Sequence, residues 1–137
     1  MKRFMGKAEK EAISQARQAQ LELIGEALDA SDDGFAIWKS VRAPDQSIEN
    51  FTLVLMNKTG SDKAGLPQLE LLGKLLTEVV PEVDAKGLHA LFEKALRKGH
   101  SVKDIVPVMS ADGLPGAFEN TVVPFGKDLV FATYRDV

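Results

Sequence analysis

Two stretches near the C-terminus, residues 117–125 and 129–134, carry apolar side chains on both parities of a two-residue alternation. Phe118, Val122, Leu129 and Phe131 fall on one side, and Val123, Val130 and Tyr134 on the other. A strand that is apolar on both faces is covered on both. The pair, joined by a Gly126-Lys127-Asp128 turn and preceded by a turn at Asp112-Gly113, is therefore predicted to be the middle of a sheet. Residues 7–30 read differently: Ala, Glu, Gln, Lys and Leu without proline predict a helix. Its apolar stripe is broad from Leu21 through Leu23, Ile24, Ala27 and Leu28. Before Leu21 it thins to Ile13, Ala16 and small alanines, broken by Arg17 and Gln20. The second half is predicted to dock on the domain and the first half to project, with too few clean heptads for a coiled coil.

Ser31-Asp32-Asp33-Gly34 breaks that helix. Residues 35–42 and 51–56 read as strands of an antiparallel hairpin around a turn at residues 43–47. From Asn57 to Pro81 the chain breaks into short helical pieces, punctuated by Gly60, Gly65, Pro67, Gly73 and Pro81. Residues 84–98 form a second clear helix, with Leu88, Leu91, Phe92, Ala95 and Leu96 on one face and Gly99 as its stop. A strand over Val102–Met109 contains Pro107, which cannot donate to a ladder, so it belongs at a sheet edge. Five strands without alternating crossover helices predict an antiparallel sheet with helices packed on it, an α+β fold.

Composition narrows the function. At 137 residues the chain makes one domain, and 45% hydrophobic and 27% charged residues describe an ordinary globular protein. A net charge of −3 and a pI near 5.4 argue against nucleic acid as a partner. The basic start at Lys2, Arg3, Lys7 and Lys10 is diluted by Glu9 and Glu11. The absence of cysteine removes disulfides, thiolate metal sites and Cys nucleophiles, and fits a reducing compartment. No apolar run reaches the roughly 18 residues of a membrane span. The expected setting is the cytoplasm.

The order of these pieces resembles a PAS domain of the bacterial sensory type. Ala30-Ser31-Asp32-Asp33-Gly34-Phe35-Ala36-Ile37 resembles the lead into its first strand, and Leu53-Val54-Leu55-Met56-Asn57 the second strand with its terminal asparagine. Gly65-Leu66-Pro67, Leu72-Gly73-Lys74 and Val80-Pro81 resemble the short-helix segment. Asp112-Gly113, Pro124 and Tyr134-Arg135-Asp136-Val137 resemble the closing hairpin. The resemblance divides the chain into a flanking, dimerising helix over residues 1–30 and a PAS-like sensory domain over 31–137. It implies a last strand at the sheet centre, between the first and the fourth. It also implies a regulatory rather than enzymatic module, relaying through flanking helices to an effector such as a histidine kinase, a diguanylate cyclase or a transcription factor. Family members often continue past this point with Thr or Ser and a linker helix, so an excised piece or a short natural protein is expected.

Candidate residues follow. A small molecule between sheet and long helix would meet Ile37, Leu55, Asn57, Leu88, Phe92, Val106, Phe118, Asn120, Val122, Phe131 and Thr133, a mainly apolar set with a few polar atoms. Asn57 is read first as the cap of the turn after it. If Ile37 and Phe131 face the helices, then Trp38, Val54 and Met56 face outward, with Tyr134 on Trp38's parity. The expected homodimer interface then joins this outer face, with Trp38 and Tyr134, to Ile13, Ala16, Leu21, Leu23, Ile24 and Leu28 of the first helix. His89, at the margin of the long helix's apolar face, is the residue a haem would need. His100 reads as a surface residue. Covalent flavin photochemistry is excluded by the lack of cysteine, which leaves haem or non-covalent flavin as an alternative sensor. A cone-like α+β isomerase is the enzyme alternative and would need a buried carboxylate. Asp104 and Glu119 are the strand-borne candidates and both read as exposed. No Ser-His-Asp set, P-loop or HExxH motif is present.

Overall fold

The computed structural model describes residues 6–80, 82–109 and 115–136, which leaves the predicted Asp112-Gly113 turn outside the described residues. The elements run α1 Lys7–Ala30, β1 Gly34–Arg42, β2 Ile48–Met56, α2 Lys58–Ala64, α3 Gln68–Leu71, α4 Leu76–Val79, α5 Glu82–Lys98, β3 Val102–Met109, β4 Pro115–Phe125 and β5 Leu129–Asp136. One five-stranded antiparallel sheet has the order β2-β1-β5-β4-β3. The last strand is central between β1 and β4. The strand with Pro107 is at an edge, where a missing donor costs no ladder bond. The other edge, β2, is covered: Leu53 donates to Lys74 O at 2.9 Å and Gly73 donates to Leu53 O at 2.9 Å.

One face of the sheet packs beneath α5 and α2. From it rise Ala36 and Trp38 of β1, Phe51, Leu53 and Met56 of β2, Val106 of β3, Val122 of β4, and Val130 and Ala132 of β5. From α5, Ala85, Leu91, Phe92 and Ala95 meet them, with Leu88 and Leu96 partly buried at the margin. The Phe92 ring stands 6.1 Å from that of Trp38 and edge-on to Phe51 at 5.2 Å.

The parity of this face reverses the one expected. Trp38, 3% exposed, points to the helices, and its neighbours Ile37 and Phe131 point to the opposite face, where Phe35 and Phe131 stack at 5.6 Å. Both parities of β1 and β5 are apolar, so alternation alone has two solutions. The choice is made by Tyr134, whose ring lies against Gly34 and Gly60. A Cβ on Gly34 would fall 2.3 Å from the ring, and one on Gly60 2.6 Å from the phenol oxygen. Only glycine admits the tyrosine on that side. In β2 the register slips between the pairs Ile37–Leu55 and Trp38–Leu53, so Val54 forms a bulge. Met56 thereby joins Phe51 and Leu53 on the inner face, and its expected outward placement is corrected with that of Trp38.

Helix α1 also departs from expectation. It has no buried residue and meets α2, so its second half does not cover the outer face of its own chain. Among the described residues no helix is long and apolar enough to cross a membrane.

Candidate functional site

Three regions hold the predicted site residues. The first is the layer between sheet and α5. Phe92, Leu88, Val106, Val122, Asn120 and Phe118 lie here, while Ile37, Leu55, Phe131 and Thr133 project from the opposite face. Around β1 and β2 the layer is filled by Trp38, Phe51, Leu53 and Phe92. Toward β4 it turns polar. Asn120 is buried, and its Nδ2 donates to Phe118 O in the same strand at 3.2 Å. Phe118 meets Tyr134 edge-on at 5.7 Å, and Lys63 Nζ sits 5.1 Å above the Phe118 ring. Asp84, on the stripe of α5 that includes Leu88 and Leu91, is nearly covered, and desolvation holds its carboxyl above the usual range. Sequence reading passed over Asp84. Its spacing from Leu88 and Leu91, at i+4 and i+7, was the signal available.

His89 is half-buried, edge-on to Phe51 at 5.3 Å, with Nε2 3.4 Å from Glu93. Its Nε2, the nitrogen that an axial ligand would turn toward iron, faces this carboxylate of its own helix. Among the described residues, no group of three or more His, Cys, Asp or Glu is placed to hold a metal ion.

The second region is the outer sheet face. Leu55, Ile37, Phe131 and Val123 form a row across four strands, with Phe35, Leu129 and Phe125 beside it. Leu55, Val123 and Phe125 are exposed, as is Ile105 nearby. At one end the apolar row gives way to charge. Glu119 accepts from Lys103 and from Arg135, each at 3.0 Å, and the Lys103 bond, helped by Arg135, holds its carboxyl below the ordinary range. These residues, with Asp33, Thr121 and Thr133, line a shallow hollow of about 190 Å³. Glu119, expected to be exposed, is half-buried here, and its lowered pKa is the opposite of what an isomerase base requires. Asp104 is exposed, with Oδ1 accepting from Ile105 N at 2.8 Å.

The third region is the junction of α1 with the domain, organised by Asn57. This side chain caps α2, accepting from Gly60 N at 2.9 Å, and also accepts from Phe35 N at 2.9 Å. Its amide donates to Leu28 O and to Asp33 O. Around it, Lys58 N donates to Asp29 Oδ1 at 2.8 Å, Thr59 Oγ1 donates to Ser31 O, and Gln68 Nε2 donates to Asp29 Oδ1 and Met56 O. Beyond this clamp the helix exposes Ile13, Leu21, Leu23 and Ile24, with Leu28 half-buried.

This geometry matches known proteins in fold. The chain is similar to the PAS domain of a protein from Colwellia psychrerythraea, at 16% identity over 85% of this chain and 96% of that one, with a TM-score of 0.63. It is similar to the PAS domain of an HTR-like protein from Haloarcula marismortui, at 16% identity over 93% and 99%, with a TM-score of 0.66. The PAS domain of nitrogen regulation protein NR(II) from Vibrio parahaemolyticus matches at 17% identity over 84% and 98%, with a TM-score of 0.63. No curated protein matches the sequence. A family model described as the PAS fold matches residues 49–137, from β2 to the end of the chain. With the sheet order, the helix-covered inner face and the asparagine-capped α2 in place, the chain belongs to the PAS-fold family.

Proposed function

We propose that this PAS domain is a sensory module that works as a homodimer and relays to an effector such as a histidine kinase or a diguanylate cyclase. The observation that carries this reading is a pair of unpartnered apolar surfaces. Helix α1 runs for 24 residues without one buried side chain, yet presents Ile13, Leu21 and Ile24 to solvent. The outer sheet face presents Leu55, Val123, Phe125 and Ile105, among the described residues covered by no element of its own chain. Two such surfaces on one small domain mark an interface, and a second copy supplies both at once by a two-fold axis. Trp38 and Tyr134 leave the interface in this reading, because they face the helices. Phe35, Ile37 and Phe131 take their place. Sedimentation equilibrium on the whole chain tests it. A dimer at micromolar concentration is expected, weakened at least tenfold by deletion of residues 1–20. A monomer at high micromolar concentration overturns it.

A second reading has its own support. Asn120, buried in β4 with its amide on Phe118 O, and Asp84, nearly covered on α5, are two enclosed polar groups on the elements that bound this layer, which suits a small molecule with a hydrogen-bonding group. Native mass spectrometry of the purified protein reads this directly: a bound mass lost in Asn120→Leu supports it, and an unliganded mass throughout removes it.

A further inference from the structure

We propose that α2 and Tyr134 form a latch that couples the direction of α1 to the C-terminal end of β5. This rests on the reading of the domain as a signalling module, and it names the device by which one end of the chain senses the other.

The last turn of α1 and the residues after it are gripped from residues 57–59, by the Asn57 amide on Leu28 O, the Lys58 N–H on Asp29 and the Thr59 hydroxyl on Ser31 O. These residues are the cap and first turn of α2. The end of β5 is gripped from the same helix four residues further on. Lys63 Nζ lies 2.9 Å from Asp136 Oδ2 and 5.1 Å above the centre of the Phe118 ring. A seven-residue helix is about two rigid turns, so neither grip moves without the other.

Tyr134 makes the connection tight. It stands two residues before Asp136 on β5, pairs across the ladder with Gly34, and drives its hydroxyl against Gly60 in the middle of α2. The same Gly60 N–H donates to Asn57 Oδ1, and Asn57 reaches Asp33 O next to Gly34. A displacement of β5's end thus meets the α1–β1 linker by two routes. One runs through the Tyr134 ring on Gly34, and the other through its hydroxyl on α2 and the Asn57 clamp. Both glycines are close approaches that leave no space to absorb the movement locally. Because no residue of α1 is buried, the clamp at its last turn bears directly on its direction. By linkage, whatever biases α1 biases the end of β5 to the same degree.

The chain lacks cysteine, so introduced pairs label cleanly. Spin labels at Ala12→Cys on α1 and Lys98→Cys at the end of α5 report the direction of the helix by pulsed electron–electron distance measurement. Dilution of the labelled chain in excess unlabelled chain removes distances between copies. Ala12 lies about 27 Å along the axis from the end of α1, so a reorientation of about 10° moves it by about 5 Å. Lys63→Glu opposes Asp136 without touching the Asn57 clamp, and Asp136→Asn removes the same contact from an exposed side chain. Both changes fall on a surface pair worth little to folding. The expected result is a shift of several ångströms, or a clear broadening, in both variants, with return to the original distribution in the charge-swapped Lys63→Glu/Asp136→Lys chain. An unchanged distribution in both single variants, with melting curves showing an intact fold, overturns the latch. Sedimentation of the same samples scores dimerisation separately, so loss of the dimer with an intact distance shift leaves the latch standing, and the converse leaves the dimer.

Discussion

At the scale of single residues, Asn57 shows how one side chain can hold a junction. It is 2% exposed and uses both ends of its amide on four backbone groups from three segments. Alanine at this position strands buried donors and acceptors, each of which regains nothing from water. Asn57→Ala is expected to cost about 3 kcal/mol, the sum of a lost helix cap and unsatisfied backbone groups, read from urea denaturation. Asp84 and Asp128 show the same principle in ionisation, with opposite signs. Asp128 accepts from Arg42 Nε at 2.7 Å and from Ser40 Oγ at 2.8 Å, and these bonds hold its pKa below 3.8. The native state therefore binds this proton less readily than the unfolded chain, and the stability it lends is lost as pH falls from 3.8. Asp128→Asn should flatten the acid limb of a melting-temperature profile. Asp84, raised by desolvation, takes its proton more readily when folded, so its contribution worsens as pH climbs from 3.8 through the raised value. Asp84→Asn should flatten the profile there, on the side toward neutrality. Unaltered slopes in both variants would contradict these assignments.

At the scale of elements, the strands separate what pattern can decide from what it cannot. Existence, type and order were legible: helix periodicity marked α1 and α5, and Pro107 placed β3 at an edge. The facing of β1 and β5 was not. Ile37 and Trp38, or Val130 and Phe131, are interchangeable to any rule based on apolar character. The deciding contact, Tyr134 between Gly34 and Gly60, joins residues 74 and 100 positions apart. The Val54 bulge hid the facing of β2 for a similar reason, since one extra residue inverts parity midway along a strand. Asn57 was legible as a cap because capping is local. Its grip on Leu28 and Phe35 was not, because those partners are brought to it by the fold. The facing has a direct consequence for substitution. Val130 is fully buried beneath α5, so Val130→Ser should cost about 3 kcal/mol through lost burial and an enclosed hydroxyl. Phe131→Ser, one residue along and on the outer face, should cost about 1 kcal/mol in the monomer and fall mainly on self-association. Reversed costs in urea denaturation would restore the opposite parity.

At the scale of the whole molecule, the domain and its first helix draw their stability from different sources. The sheet, α2 and α5 enclose a core of Trp38, Phe51, Phe92, Val122 and Val130 that needs no partner. Helix α1 encloses nothing. Most helical stability in proteins comes from tertiary packing, and a helical stretch as short as residues 7–20 is marginal in water on its own. Its C-terminal turns are clamped at Asn57 and Thr59, but among the described residues the turns before Leu21 bury no side chain. If a second copy covers them, helix and dimer form together, and dilution should uncouple two signals that usually fall as one. The helical band of the far-ultraviolet circular dichroism should decrease as the chain is diluted through its dimer dissociation, because α1 is the longest helix. The fluorescence of Trp38, the single tryptophan, should hold constant over the same range, because its contact with Phe92 lies inside one chain. Deletion of residues 1–20 should abolish the concentration dependence of the first signal and leave the second untouched. A tryptophan signal that changes in step with helicity would mean that the core itself depends on the partner, and that the domain does not fold alone.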